Sequence, residues 1–133
     1  MANKTCPVVF RIRTGEVDML AFRHPSAGKQ FVKGGIKDNE TSLHAALREL
    51  EEESGIKAQA PNLDIGQASI GSGDWHFFAF EIEGLPEQWD HKTHDDYGHV
   101  FSFFWHPLLA DLDDEWHPQF HDALAVIRSS LTL

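Results

Sequence analysis

Apolar and polar residues alternate along several short stretches of this 133-residue chain, and a period of two predicts β-strands. The strands predicted in this way cover residues 7–13, 17–23, 30–33, 75–83 and 100–106, with another inside 62–70 and a candidate at 57–60. Two other stretches repeat apolar residues every three or four positions, which predicts helices. This order of strands, a helix, more strands and a closing helix favours an α/β or α+β domain.

The first predicted helix lies between Thr41, a suitable N-cap residue, and Gly55, a suitable left-handed residue after the last turn. Its apolar stripe consists of Leu43, Ala46, Leu47 and Leu50. Its other face carries Glu49, Glu52 and Glu53, which lie one turn apart. Bunched carboxylates repel one another unless a cation or solvent screens them, and a hard divalent ion such as Mg²⁺ prefers oxygen ligands of this kind. The pattern therefore indicates either a metal-binding face or a solvated acidic surface.

The second predicted helix spans residues 117–131. Its apolar stripe consists of Phe120, Leu124, Ile127 and Leu131. Two stretches before it lack a clear period: the polar, charged segment 89–98 is predicted to be a loop, and 108–116 is predicted to be irregular.

The composition narrows the classes of function. A formal net charge of −10 argues against nonspecific binding to DNA or to an anionic membrane, although a bound metal could still bring a phosphate substrate to an acidic site. The single Cys6 excludes an internal disulfide and fits a reducing compartment. No apolar run is long enough to span a bilayer. We therefore expect a cytoplasmic protein.

The stretch from Gly34 to Ile56 combines glycines, acids and an arginine at fixed spacings. Gly34 is followed after five residues by Glu40, and after seven more by Arg48. The other fixed positions are Glu49, Leu50, Glu52, Glu53, Gly55 and Ile56. This segment, called the box below, resembles the Nudix hydrolase signature G-x5-E-x7-R-E-U-x-E-E-x-G-U, in which U is a bulky aliphatic residue. The box matches that signature at every fixed position.

The resemblance implies a fold and a metal site. The implied fold belongs to the α/β class and is a Nudix-type α/β/α sandwich around a mixed β-sheet, expected to form a single domain over residues 1–133. The implied ligands of Mg²⁺, or of Mn²⁺, are Glu49, Glu52, Glu53 and the backbone carbonyl of Lys33. The implied orienting and loop residues are Gly34, Gly35, Glu40 and Arg48.

The reaction that the resemblance implies is attack of water on a phosphoanhydride bond in a nucleoside diphosphate linked to another group. The implied catalytic residues are Arg48, Glu52 and Glu53, and the identity of the general base stays open. It could be Glu52 or Glu53, or a residue of the polar segment. The candidates there are Asp90, Asp95, Asp96 and His94. The alternative for that segment is a solvated connection without a chemical role.

Aromatic and histidine residues offer further candidates. Trp75 follows a glycine-rich turn and is the best candidate for stacking on a nucleobase, although core packing is the commoner role of such a residue. The nine histidines show no transition-metal signature, so a histidine-rich acidic surface is the preferred interpretation.

The substrate is the least determined feature. The downstream proline and tyrosine that the resemblance associates with many ADP-ribose and diadenosine polyphosphate enzymes are not evident. A small nucleotide is nevertheless the expected partner, with a nucleoside triphosphate or a dinucleoside polyphosphate favoured. The alternatives are a non-catalytic nucleotide-binding Nudix module and an RNA 5′-end pyrophosphohydrolase. Assembly as a homodimer is left open.

Overall fold

The chain folds into one mixed β-sheet with a helix on each face. The computed structural model describes residues 2–93 and 98–131. The helices are α1 (Ser42–Ser54) and α2 (Pro118–Ser130). The strands are β1 (Lys4–Arg13), β2 (Glu16–His24), β3 (Gly28–Gln30), β4 (Gly34–Gly35), β5 (Leu63–Ile70), β6 (Gly73–Glu81), β7 (Trp89–Lys92) and β8 (Val100–Pro107). Neither helix of the described residues is long and apolar enough to cross a membrane.

The strand order in the sheet is β5-β6-β1-β2-β8-β7, with β3 paired to β2 and β4 paired to β1. Strands β1 and β6 run parallel, and the other pairs run antiparallel. The short β4 places Gly34 opposite Thr5 and Gly35 opposite Lys4. The glycine loop before α1 is therefore attached to a central strand. This mixed sheet confirms the expected α/β class.

Alternation along the strands divides the apolar side chains between two cores. On β1, Val8 and Phe10 pack in the core under α2, whereas Val9 between them packs in the core under α1. The apolar stripes of both helices are confirmed. Their buried members are Ala46 and Leu50 on α1 and Phe120, Leu124, Ile127 and Leu131 at α2.

The predicted ends of α1 are confirmed by their capping contacts. The Thr41 hydroxyl accepts a hydrogen bond from the backbone N–H of His44 at 3.1 Å. Gly55 follows the helix with a φ of 81°, a left-handed conformation that glycine adopts without steric strain. Its N–H donates to the Glu51 carbonyl at 2.9 Å. These contacts set the length of α1 and hence the direction of its acidic face.

Three local predictions are wrong. Residues 57–60 pair with no strand, and the strand expected at 30–33 is replaced by the shorter β3 and β4 on either side of it. Residues 89–92, predicted as loop, form β7 and pair with β8. On β7 the side chains of Trp89 and His91 contact the end of α1. Because His91 is itself polar, the sequence does not show the alternation of apolar and polar residues that would predict this strand.

Cys6 lies on β1 and is fully buried in the core under α2. Burial raises the pKa of its thiol to about 12, because the thiolate would lose its hydration there. At pH 8 the thiolate fraction is then roughly three orders of magnitude below that of an unfolded chain. We expect Cys6 to resist a disulfide reagent in the native protein and to react in guanidinium chloride, as a thiol assay would measure. Equal rates in both conditions would contradict the buried position.

Candidate functional site

The acidic face of α1 lines one cavity. Helical spacing brings Glu49, Glu52 and Glu53 to the same side, and all three line a cavity of about 380 Å³, called the carboxylate cavity below. Its other lining residues are His24, Gln30, Lys33, Thr93 and Phe101. The structure therefore brings together the three carboxylates predicted from the box, with Lys33 beside them, and their role as metal ligands stays a prediction.

Arg48 connects the parts of the box. Its Nε and Nη2 donate to Oε2 and Oε1 of Glu40 at 2.8 and 2.9 Å, which is a two-pronged ion pair. The same Nη2 donates to the Gly35 carbonyl at 2.9 Å. Glu40 Oε1 also accepts a hydrogen bond from the Lys37 backbone N–H at 3.0 Å. The glycine loop, Glu40 and α1 are thus held as one unit.

This ion pair changes the pKa of both partners. The hydrogen bonds from Arg48 hold the pKa of Glu40 at about 2, against the opposing effect of burial and with help from the Lys37 N–H. The pKa of Arg48 is raised in turn, chiefly by its hydrogen bonds to Glu40 and then to Glu49. Both partners are therefore charged at neutral pH, which fits the orienting role expected of them.

The remaining donor group of Arg48 faces the box carboxylates. Its Nη1 donates to Glu49 Oε1 at 2.8 Å and to Glu52 Oε2 at 3.3 Å. The side chains of Arg48 and Glu49 are only 17% and 15% exposed, so water screens this contact less than it screens a surface ion pair. Arg48 thereby offsets part of the repulsion among the carboxylates, and it binds one oxygen of Glu49 and one of Glu52.

The carboxyl group of Glu53 is strongly perturbed by its surroundings. Burial raises the pKa of Glu53 well above its usual range, and hydrogen bonding to Glu49 raises it further. The charges of Glu49 and Glu52 act in the same direction, whereas the charge of Lys33 lowers the pKa. A carboxyl group crowded in this way retains a proton more readily than an exposed one.

A divalent cation fits the chemistry of the carboxylate cavity. Three carboxylates supply the hard oxygen donors that Mg²⁺ and Mn²⁺ prefer, and a cation would relieve the crowding of Glu53 against Glu49. Within residues 2–93 and 98–131, no three His, Cys, Asp or Glu side chains already form a metal-binding arrangement. Arg48 holds one oxygen of Glu49 and one of Glu52 beside this site, and thereby orients both carboxylates.

Gly34 is required by the close approach of Glu49. A Cβ atom on Gly34 would lie 2.0 Å from Cδ of Glu49, far inside van der Waals contact. A Cβ atom on the next residue, Gly35, would meet no atom within 4 Å. Because the Glu49 carboxylate is the mobile end of a side chain, a residue larger than glycine at position 34 would displace it from Arg48 without unfolding the sheet.

Four residues of the carboxylate cavity are absent from the predicted set. The hairpin of β2 and β3 supplies His24 and Gln30, β8 supplies Phe101, and Thr93 directly follows β7. Alternation along β8 is a signal for Phe101, since it shares a sheet face with Phe103 in the core under α1. The other three residues, His24, Gln30 and Thr93, reach the cavity through strand pairing, which no local sequence pattern reveals.

His24 has a defined tautomer in its neutral form. Its Nδ1 accepts hydrogen bonds from the backbone N–H groups of Ser26 and Ala27 at 3.0 and 3.1 Å. The proton of the neutral ring is therefore on Nε2. His24 lines the wall of the carboxylate cavity.

Of the four candidates from the polar segment, Asp90 is the one within the described residues. Asp90 pairs with Ser102 on β8, and strand alternation turns it to the sheet face opposite Trp89 and His91, where it is exposed. It does not line the carboxylate cavity, so the prediction of Asp90 as a general base is wrong. The other candidates, His94, Asp95 and Asp96, lie outside the described residues.

The prediction that Trp75 stacks on a nucleobase is also wrong. Trp75 is 2% exposed and packs in the core under α2, with its ring centroid 6.0 Å from Phe77 and 6.1 Å from Phe120. Its position after a glycine-rich turn suggests exposure, but alternation along β6 turns its side chain inward. Trp89 is partly buried and stacks on Phe103 at 5.0 Å, where it lines a separate hollow of about 880 Å³.

Comparison with known proteins agrees with the fold and the box. The family model for the NUDIX domain matches residues 4–124 of this chain. No curated protein sequence matches the chain.

Many solved structures share the fold. A binary complex of C. elegans Ap4A hydrolase superimposes with a TM-score of 0.68 and 15% identity, covering 95% of this chain and 96% of that one. The Nudix hydrolase RenU from M. smegmatis gives 0.62 and 17%, covering 96% and 84%. The NUDIX domain of Shewanella oneidensis NrtR, complexed with ADP ribose, gives 0.64 and 16%, covering 97% and 87%. At these identities the likeness establishes the shared fold.

The Glu40–Arg48 pair predicts a pH-dependent contribution to stability. Because the folded pKa of Glu40 is below its ordinary value of 4.5, the pair stabilises the protein above pH 4.5, and this stabilisation is lost as the pH falls towards 2. We expect Glu40→Gln to lower the melting temperature by roughly 4 °C at pH 6, and by less at pH 3. Thermal melts at both pH values measure this, with Asp38→Asn, exposed in the same loop, as the control. A difference that does not change with pH would contradict the assignment.

The two glycines of β4 predict a pair of contrasting variants. Gly34→Ala should displace the Glu49 carboxylate and weaken Mn²⁺ binding by about tenfold, since loss of an orienting contact commonly has that effect. Gly35→Ala should leave Mn²⁺ binding unchanged, because its Cβ enters open space. Electron paramagnetic resonance of free Mn²⁺ measures both affinities. Equal Mn²⁺ affinity of the two variants would contradict an effect of the close approach between Gly34 and Glu49.

Proposed function

The chain belongs to the NUDIX family of pyrophosphohydrolases, and we propose that it uses a divalent metal ion to hydrolyse a phosphoanhydride bond in a nucleoside diphosphate linked to another group. The observation that carries this proposal is the convergence of Glu49, Glu52 and Glu53 on one cavity beside Lys33. The box keeps every carboxylate that such chemistry needs.

The box residues divide into ligands and orienting groups. Glu49, Glu52 and Glu53 would hold Mg²⁺, or Mn²⁺ in its place, and the backbone carbonyl of Lys33 is a further proposed ligand. When bound, the ion would neutralise charge on the diphosphate and activate the attacking water. Arg48 would keep the carboxylates of Glu49 and Glu52 at fixed positions through its hydrogen bonds to both.

Two side chains of the cavity wall suit phosphate oxygens. The Lys33 ammonium supplies a positive charge beside the carboxylates, as its effect on the pKa of Glu53 indicates. His24 lines the same cavity, and the backbone N–H groups of Ser26 and Ala27 fix the orientation of its ring through Nδ1. We assign both residues to binding and orienting the diphosphate rather than to proton transfer.

Glu52 and Glu53 are the proposed acceptors of the proton from water. Glu49, the third acid of the carboxylate cavity, is held by Arg48 at 2.8 Å. Glu52 also accepts a hydrogen bond from Arg48, at 3.3 Å, whereas burial raises the pKa of Glu53 and favours a proton on its carboxylate. We therefore favour Glu53 over Glu52 as the general base.

A nucleoside triphosphate or a dinucleoside polyphosphate is the proposed substrate class. The carboxylate cavity, about 380 Å³, lies at the small end of the range for ligand pockets, which suits a short polyphosphate chain better than a polymer. The net charge of −10 also disfavours long nucleic acids as partners.

The proposal includes a cytoplasmic setting, because the single thiol, Cys6, is buried and takes no part in a disulfide. Assembly as a homodimer is a separate prediction that analytical ultracentrifugation would check.

The experiment that tests the function is a product-release screen with a matched pair of variants. The panel contains nucleoside triphosphates, dinucleoside polyphosphates, nucleotide sugars and ADP-ribose, each with Mg²⁺ or Mn²⁺. Glu53→Gln should reduce the rate on the active substrate by at least about tenfold, because it removes the charge of a ligand and base but keeps its shape. Glu51→Gln, on the exposed face of the same helix, should retain parental activity.

Two outcomes would contradict this proposal. Equal activity of Glu53→Gln and Glu51→Gln would remove Glu53 from the chemistry. Absence of hydrolysis across the panel by a parent protein that binds Mn²⁺ would instead favour a non-catalytic nucleotide-binding module.

A further inference from the structure

Two side chains of β7 bind the carbonyl end of α1. The Trp89 indole Nε1 donates to the Ser54 carbonyl at 3.2 Å. His91 Nε2 lies 3.1 Å from the Glu52 carbonyl, and because a carbonyl only accepts, this nitrogen carries the proton. The last four carbonyls of a helix have no partner within the helix, so β7 satisfies two groups that would otherwise depend on water.

Gly55 provides the space for the imidazole of His91. A Cβ atom at position 55 would lie 3.1 Å from His91 Nδ1 and 3.2 Å from its Cε1. The left-handed φ of 81° at Gly55 turns the chain away immediately after the last turn. Gly55 therefore both ends α1 and leaves room for the imidazole ring of His91 on β7.

His91 contacts the backbone of a residue whose side chain lies in the carboxylate cavity. Its partner, Glu52, is held at the carboxylate by Arg48 at 3.3 Å and at the carbonyl by His91 at 3.1 Å. Glu53 is the next residue, so its backbone position depends on the same turn. We propose that His91 is a positioning residue that fixes the last turn of α1 and thereby directs Glu52 and Glu53 into the carboxylate cavity, where they would hold the metal ion.

This inference rests on the proposed metal site but not on the identity of the substrate. His91 does not line the carboxylate cavity, so it acts through Glu52 and not on the reactants. Trp89 makes an equivalent bond to Ser54, whose hydroxyl donates to the Leu50 carbonyl at 2.6 Å and lies outside the cavity. His91 therefore binds a residue that lines the carboxylate cavity, whereas Trp89 binds one that does not. A variant of Trp89 thus serves as an internal control.

The test compares Mn²⁺ affinity across variants of β7. His91→Leu removes the donor and should raise the Mn²⁺ dissociation constant by about tenfold, as loss of an outer partner commonly does. His91→Gln can place an amide N–H where Nε2 lies and should restore most of the affinity, whereas His91→Asn is too short and should not. Trp89→Phe keeps the aromatic ring and should lower the melting temperature without changing Mn²⁺ affinity.

Electron paramagnetic resonance measures Mn²⁺ binding, and thermal melts report folding. Equal affinity in His91→Leu and the parent would overturn the proposal, as would an equal loss in Trp89→Phe. If His91→Leu does not fold, His91→Gln is compared with His91→Asn instead. Equal Mn²⁺ affinities of these two variants would overturn the proposal. A parent that binds Mn²⁺ but hydrolyses nothing would refute the proposed function alone. A parent that binds no Mn²⁺ would refute both.

Discussion

The rest of the site depends on the hydrogen bonds that the guanidinium of Arg48 donates to the acids and the loop around it. Helix α1 places three carboxylates within one turn of each other, and their mutual repulsion alone would spread them apart. Arg48 binds two of them and also binds Glu40 and the Gly35 carbonyl, so one planar cation joins the helix to the loop before it. Lysine could not replace it, because a single ammonium group lacks the two-edged fork that these four acceptors require.

The sheet supplies the fixed frame for this cluster at both ends of α1. Before the helix, β4 pairs with β1 and brings Gly34 so close to Glu49 that no side chain fits between them. After the helix, β7 binds two of the last carbonyls through Trp89 and His91. Between these two attachments Leu50 is buried in the core under α1, which fixes the rotation of the helix about its axis. Because the ends and the rotation of α1 are fixed in this way, its acidic face points in one direction.

The sequence predicts those parts of the site that local spacing determines. The spacing of Glu49, Glu52 and Glu53 and the caps at Thr41 and Gly55 follow from helix geometry, so the acidic face of α1 is predictable. Residues that reach the site by strand pairing, such as His24, carry no local signal. Trp75 is misread because alternation, rather than the adjacent glycine turn, decides which face it occupies. Composition and spacing therefore do not predict where such a residue lies relative to the sheet.

The charge balance of the cavity explains why its function should depend on a metal. A polyphosphate approaching this protein meets a net charge of −10. Among the described residues that line the carboxylate cavity, it meets three acids beside one lysine, Lys33. Without a cation, the field would repel the substrate and favour a proton on Glu53. A divalent ion reverses the sign locally, which makes the same carboxylates compatible with phosphate. Under the proposed function, the acidic composition would restrict the site to substrates that arrive with a metal ion or bind after one.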